Sequence, residues 1–155
     1  MNEVQFPTIT VGDRSLVVRY SIAAQVLMKR RGIDPRNLLA QMSPFLLSGE
    51  YDANGKPKPL LDANGAILRN PACEENILTV FSACVAENVL DQSNPDRFDL
   101  NKAPTADYWM TQLGPLQFSQ VEAVIGEAMG KVLEEQRHKL KLVAAPPEIP
   151  SEKAS

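Results

Sequence analysis

The sequence predicts a mainly α protein: a small N-terminal β-hairpin, a compact helical domain of about four to five helices, and a disordered C-terminal tail. Three observations predict it. Residues 20–42, YSIAAQVLMKRRGIDPRNLLAQM, announce a helix, a stop and a second helix. Apolar residues recur at helical spacing over about 71–90 and again over about 115–139. Ahead of both, residues 4–20 carry β-branched and apolar residues on either side of Gly12-Asp13, the pattern of a hairpin. At 155 residues the chain is long enough for one domain, placed at 1–142 with the hairpin at 4–20, an exposed loop insertion at 49–70, and the tail at 143–155.

In the hairpin, Val4, Phe6 and Ile9 lead into the turn and Leu16, Val17 and Val18 lead out. Pro7 cannot donate to a ladder, which makes the first strand an edge strand or a bulged one. Two strands alone are marginal in water, so the pair must pack on the first helix or pair with another chain. Ser21 is a suitable N-cap for that helix, and Ile22, Ala23, Val26 and Leu27 supply its apolar face. Gly32 can take the left-handed conformation that closes a Schellman motif and lays Ile33 against Met28. Lys29, Arg30 and Arg31 fall where the helix dipole favours cations, and read as a solvated helix end. Asp34 and Pro35 start the second helix, with Leu38 and Leu39 as its apolar face.

After Ser43-Pro44 and the short apolar piece Phe45-Leu46-Leu47 the pattern breaks. Residues 49–70 hold Gly49, Gly55, Gly65, Pro57 and Pro59, and repeat Asp-Ala-Asn-Gly at 52–55 and 62–65. Each copy is a turn signal. A calcium loop fails, because aligning Gly55 or Gly65 with the loop glycine puts Leu61 or Pro71 where the bidentate glutamate belongs. The segment reads as exposed and mobile, with PKPLL a short extended piece. A core helix follows over about 71–90, capped by Asn70, with Ile77, Phe81, Cys84 or Val85, and Val89 in its stripe. Thr105 starts a short helix holding Tyr108, Trp109, Met110 and Leu113, closed by Gly114-Pro115. The last helix repeats Val121, Ile125, Ala128 and Val132, with Glu127–Lys131, Glu134–His138 and Glu135–Lys139 pairs on its outer face. Beyond Leu133 the apolar stripe nearly vanishes, leaving Leu140 and Leu142 isolated, and the end from Val143 has the proline and charge content of a disordered terminus.

Hydrophobic residues at 44%, charged residues at 23% and a net charge of -3 are those of a globular chain without the concentrated basic face that phosphate binding requires. No apolar run reaches the roughly 18 residues of a membrane span, and the N-terminus lacks a signal-peptide pattern, so the expectation is cytosolic. The two cysteines, Cys73 and Cys84, lie eleven positions apart on one helix, about 16 Å along its axis, too far for a disulfide and without companions for zinc. The only histidine, His138, sits among charges, and the adjacent carboxylates Glu74-Glu75 and Glu134-Glu135 point about 100° apart. With no nucleophile–base set and no phosphate-cradling loop, no catalytic, metal or cofactor residue is assigned, and the expectation is a non-enzyme that works by binding.

The strand pair and helix in TITVGDRSLVVRYSIAAQVLMKRRGID, the helix around ENILTVFSACVAENV, and the closing TADYWMTQLGPLQFSQVEAVIGEAMGKVLEE resemble the tail assembly chaperones of tailed bacteriophages over most of residues 8–135. The resemblance implies a small, mostly helical protein of the host cytoplasm. Such a protein associates with the tape measure protein, helps tail tube subunits assemble, and is absent from the mature virion. The Asp-Ala-Asn-Gly insertion departs from the family pattern. A homo-oligomer, through an open edge of the hairpin, is also compatible with the sequence.

The surface assigned to the client is Met129, Val132 and Leu133, where the apolar stripe of the last helix approaches its end. These residues either dock a client or finish the core, and the sequence leaves both open. The alternative function is a small helical adaptor gripping nucleic acid through Lys29, Arg30 and Arg31.

Overall fold

The computed structural model describes residues 5–144, with side chains as far as Leu133. Val4, residues 145–155 of the expected tail, and the side chains of Glu134, Glu135, His138 and Lys139 lie outside that part. Among the described residues the architecture is mainly α, with five α-helices and two small antiparallel β elements.

Strands β1 (Thr8–Val11) and β2 (Arg14–Val17) form the N-terminal hairpin, with Ile9 opposite Leu16 and Val11 opposite Arg14. Gly12, at φ 65, takes the first place of the two-residue turn that the twist of the strands prefers. Pro7, Ile9, Val11, Leu16 and Val18 are buried, and the outward Thr8, Thr10 and Ser15 alternate with them. The hairpin packs within the chain, but mainly on the central and last helices rather than on the first helix as expected. β2 lies against the central helix and β1 against the last.

Helix α1 (Ile22–Arg30) begins as expected, with the Ser21 hydroxyl accepting from the Ala24 amide at 3.1 Å. It ends in the Schellman pattern: Ile33 N–H donates to Met28 O at 2.9 Å, Gly32 N–H to Lys29 O at 3.2 Å, and Gly32 has φ 84. Its buried face is Ala24, Leu27 and Met28, whereas Ile22 is 81% exposed, so of the expected face only Leu27 is buried. The i, i+3, i+4 row that meets the central helix is offset from the row chosen on apolarity alone. Asp34 accepts from Arg36 N–H and opens a 3-10 turn over Pro35–Asn37, which passes into α2 (Leu38–Met42). Leu38 is buried but Leu39 is 67% exposed, because a five-residue helix has one inward side and its neighbour points about 100° away.

Helix α3 (Cys73–Val89) is the axis of the molecule, packed against α1, α2, β2, α4 and α5. Every residue from Ile77 to Ala86 is buried, and a helix apolar all round requires cover all round. It begins at Cys73 rather than at residue 71, because Asn70 is used to tie the turn before it to the end of α2. The Asn70 amide nitrogen donates to Gln41 O and Ser43 O, and its oxygen accepts from Ala72 N–H. The buried polar groups of α3 are satisfied: Thr79 donates to Glu75 O at 2.8 Å and Ser82 to Pro104 O. Cys73 and Cys84 are free, as their spacing requires, and both are buried; burial pushes the Cys84 thiol up to about 12.

Helix α4 (Ala106–Gln112) sets Trp109 edge-on to Phe81, with ring centroids 5.0 Å apart. Thr105 occupies the N-cap position without a side-chain cap bond. Helix α5 runs from Pro115 to Ala144 and so includes the first two residues of the expected tail. Val121, Ile125 and Ala128 bury its inner row against α3 and β1.

Candidate docking surface

Three surfaces were singled out by sequence or stand out in the structure: the end of α5, the basic end of α1, and the 44–70 segment.

On α5 the three assigned residues divide. Met129 packs against the core with part of its surface, Val132 is half-buried, and Leu133 is 55% exposed. Met129 also belongs to a groove of about 370 Å³ that the sequence reading missed. One wall is α5, through Glu122, Ile125, Gly126 and Met129, and the other is α2 with the turn after it, through Leu38, Leu39, Met42 and Pro44. Ile77 of α3 closes the floor. The lining is mostly apolar, with Glu122 its single charged residue. Leu133 follows Met129 at i+4, so it lies on the same side of α5, one turn beyond the groove's lining, and is exposed. The signal available in sequence was Leu39, an apolar residue in a helix too short to bury two adjacent leucines.

The Cys73 thiol, which donates to Met42 O at 3.3 Å, is raised first by burial and then by the nearby carboxylates of Glu74 and Glu122.

The basic run at the end of α1 is not a single solvated patch. Arg31 is half-buried and donates to Pro104 O at 2.7 Å, Ala103 O at 2.6 Å and Ser82 Oγ at 3.3 Å. Its guanidinium clamps the connection before α4 to α1 and α3, and burial lowers its pKa. Arg30 reaches Asn101 at 3.1 Å. Lys29 and Arg36 border a shallow cleft with Asp34, whose carboxylate lies 3.4 Å from the Arg36 guanidinium and is held below its usual range chiefly by the Arg36 amide. The reading of this run as a solvated helix end is corrected for Arg31, and the phosphate-gripping alternative loses its third cation.

The insertion expected at 49–70 as exposed and mobile is part of a longer arm over 44–70, which is mostly exposed but hydrogen-bonded rather than a loose loop. β3 (Leu47–Tyr51) pairs antiparallel with β4 (Pro57–Pro59), and single bridges join Leu61 to Ile67 and Phe45 to Arg69. The two Asp-Ala-Asn-Gly copies make the same turn. In each the aspartate carboxylate accepts two amides, Asn54 and Lys56 for Asp52, Asn64 and Ala66 for Asp62, at 2.8 and 2.9 Å. Gly55 and Gly65 follow at φ 78 and 81, the left-handed place of a three-residue hairpin loop. Where the arms meet, Leu46 N–H donates to Leu68 O, Leu68 N–H to Leu60 O, and Leu60 N–H to Leu46 O, a closed ring of three backbone bonds at 2.7 to 3.0 Å. Phe45, Leu46, Tyr51, Leu60, Leu61 and Ile67 are all exposed on this arm.

Among the described residues no group of three or more His, Cys, Asp or Glu could hold a metal ion, and no helix is long and apolar enough to cross a membrane. Comparisons of the chain with protein-family models, with curated proteins and with solved structures return no match.

Proposed function

We propose that this protein is a non-catalytic tail assembly chaperone of the tailed-phage type, acting in the host cytoplasm and absent from the finished particle. Its client is the tape measure protein, a long and aggregation-prone chain, held while tail tube subunits assemble. The observation that carries the reading is the apolar groove between α2 and α5, with the exposed Leu133 one helical turn beyond Met129 on the same side of α5. A concave apolar strip beside a helix suits the apolar face of an amphipathic client segment. The order of elements from the hairpin to α5 is the order on which the family resemblance rests.

The experiment is co-purification from infected or prophage-carrying cells, comparing the native chain with Leu133→Asp. Leu133 is more than half exposed, so the variant should keep its thermal stability within about 1 kcal/mol while losing the client. A folded variant that still retains the client removes this surface from consideration. Recovery of nucleic acid in place of a tape measure protein, weakening steeply between low and moderate salt, would transfer the function to the adaptor reading.

A further inference from the structure

The groove has a second candidate occupant in this chain itself. Helix α5 spans 30 residues, about 45 Å, against about 26 Å for the 17-residue α3 it packs on. The last buried residue among its described side chains is Ala128, and sixteen residues, about 24 Å of helix, follow it to Ala144. A helix of that length holds together poorly in water unless one face is covered.

The charge along α5 is divided. Residues 115–130 carry Glu122 and Glu127 and no cation, for a charge of -2. Residues 131–144 carry Lys131, Arg137, Lys139 and Lys141 against Glu134 and Glu135, four less two, for +2. Two such helices side by side in parallel set like charges together, and in antiparallel they set the basic end of each beside the half of the other that carries Glu122 and Glu127. The seam is also open. Gly126 and Gly130 are exposed and have nothing within 4 Å of where a Cβ would stand. Glycine inside a helix costs about 1 kcal/mol relative to alanine. Packing within the chain gives neither residue a reason to be glycine, whereas close approach of a second helix does.

We infer that two copies of this chain associate about a two-fold axis, each laying the 131–144 half of α5 antiparallel into the groove between α2 and α5 of the other. A crossing centred between Gly130 and Lys131 sets Glu122 opposite residues 139–141 of the second copy. The apolar residues at 133, 140 and 143, seven and three positions apart, fall on one a/d seam along the entering half. The contact is self-complementary, so it closes at two copies rather than growing into a filament. The inference rests on the reading of this face as a docking surface and adds its regulation: the groove is covered by a second copy until a client segment displaces it.

The test is sedimentation equilibrium of the full-length chain, with no client present, at low and moderate salt. The native chain is expected to be a dimer that weakens with salt. Glu122→Lys, and separately Lys139→Glu with Lys141→Glu, should each raise the dissociation constant about tenfold, and an equimolar mixture of the two variants should restore native affinity. Circular dichroism confirms that each variant is folded. A monomer at all concentrations, an association indifferent to both charge reversals, or a mixture that stays dissociated overturns the inference. Each of these leaves the client reading untouched, since co-purification is a separate measurement; loss of the client by Leu133→Asp bears only on that reading.

Discussion

The chain builds two small β elements, and they are held by different means. In the N-terminal hairpin the inward residues Pro7, Ile9, Val11, Leu16 and Val18 are buried, and its borders are sewn to the helices. Arg19 N–H donates to Cys84 O at 2.8 Å, Val17 N–H to Asn88 Oδ1 at 3.2 Å, and the Gln117 amide to Thr10 O at 3.2 Å. The 44–70 arm has no such cover: no residue between Leu39 and Ala72 is buried. Its shape comes from two aspartate-capped turns and the ring of bonds at Leu46, Leu60 and Leu68. One element is folded by what it hides and the other by what its turns impose.

The largest expected effect follows from that contrast. Leu16→Ala removes a side chain that is 2% exposed and should cost about 2–5 kcal/mol of global stability. Leu60→Ala removes the same atoms from an exposed site and should stay within about 1 kcal/mol. Urea melts of the two variants make the comparison, and equal losses would show that the arm is covered in solution, by a partner or a second copy.

How much of this was legible in sequence follows the same division. The α1 cap, the Gly32 stop and the hairpin turn were readable because each depends on residues within five positions of one another. The buried row of α1 was misjudged because Ile22 is apolar and yet faces out, which only the placement of α3 decides. Arg31 was misread for a stronger reason: its acceptors at Ala103 and Pro104 lie more than seventy positions away, and nothing local marks them. The arm is the opposite case. Its order is written locally, in a tetrapeptide repeated at a ten-residue interval, but prolines and glycines in that density read equally as looseness. Asp at the first position and Gly at the fourth is the pattern of a type I turn closed by a left-handed residue. The α2–α5 groove could not be read, since it arises from two elements about eighty residues apart.

A second effect separates the regions by pH. Cys84 belongs to the core, and burial raises its pKa to about 12, whereas an unfolded thiol ionises near 8.5. A folded pKa raised above the unfolded one contributes stability that is complete below the unfolded value and lost as pH rises. Between about pH 9 and 10 the unfolded chain gains a thiolate that the native state refuses, so stability should fall by about 1.4 kcal/mol per unit from this group. In Cys84→Ala that component of the slope should vanish. The 44–70 arm holds no cysteine, so its amide protection, read against global stability, should show no matching component.

The smallest effect tests whether the arm is folded by its turns. Asp52 and Asp62 accept the same pair of amides at the same distances, so their replacement by alanine should cost the same, about 1 kcal/mol by analogy with a lost helix cap. The loss should be local, because neither residue touches the core. Hydrogen exchange is the suitable measurement: Asp52→Ala should release the Asn54 and Lys56 amides, and Asp62→Ala those of Asn64 and Ala66, with α3 protection unchanged. Asparagine retains an acceptor oxygen in the same place, so Asp62→Asn should recover most of the protection, which separates the hydrogen bond from the charge. The two turns are not equally tied to the rest, since the 62–65 turn joins the segment bridged back to Phe45 through Arg69. If Asp62→Ala also frees the Leu46 amide while Asp52→Ala does not, the ring of three leucine bonds is cooperative and is entered through the second turn. If neither variant changes exchange in the arm, its order does not come from the aspartates, and the contrast with the hairpin fails.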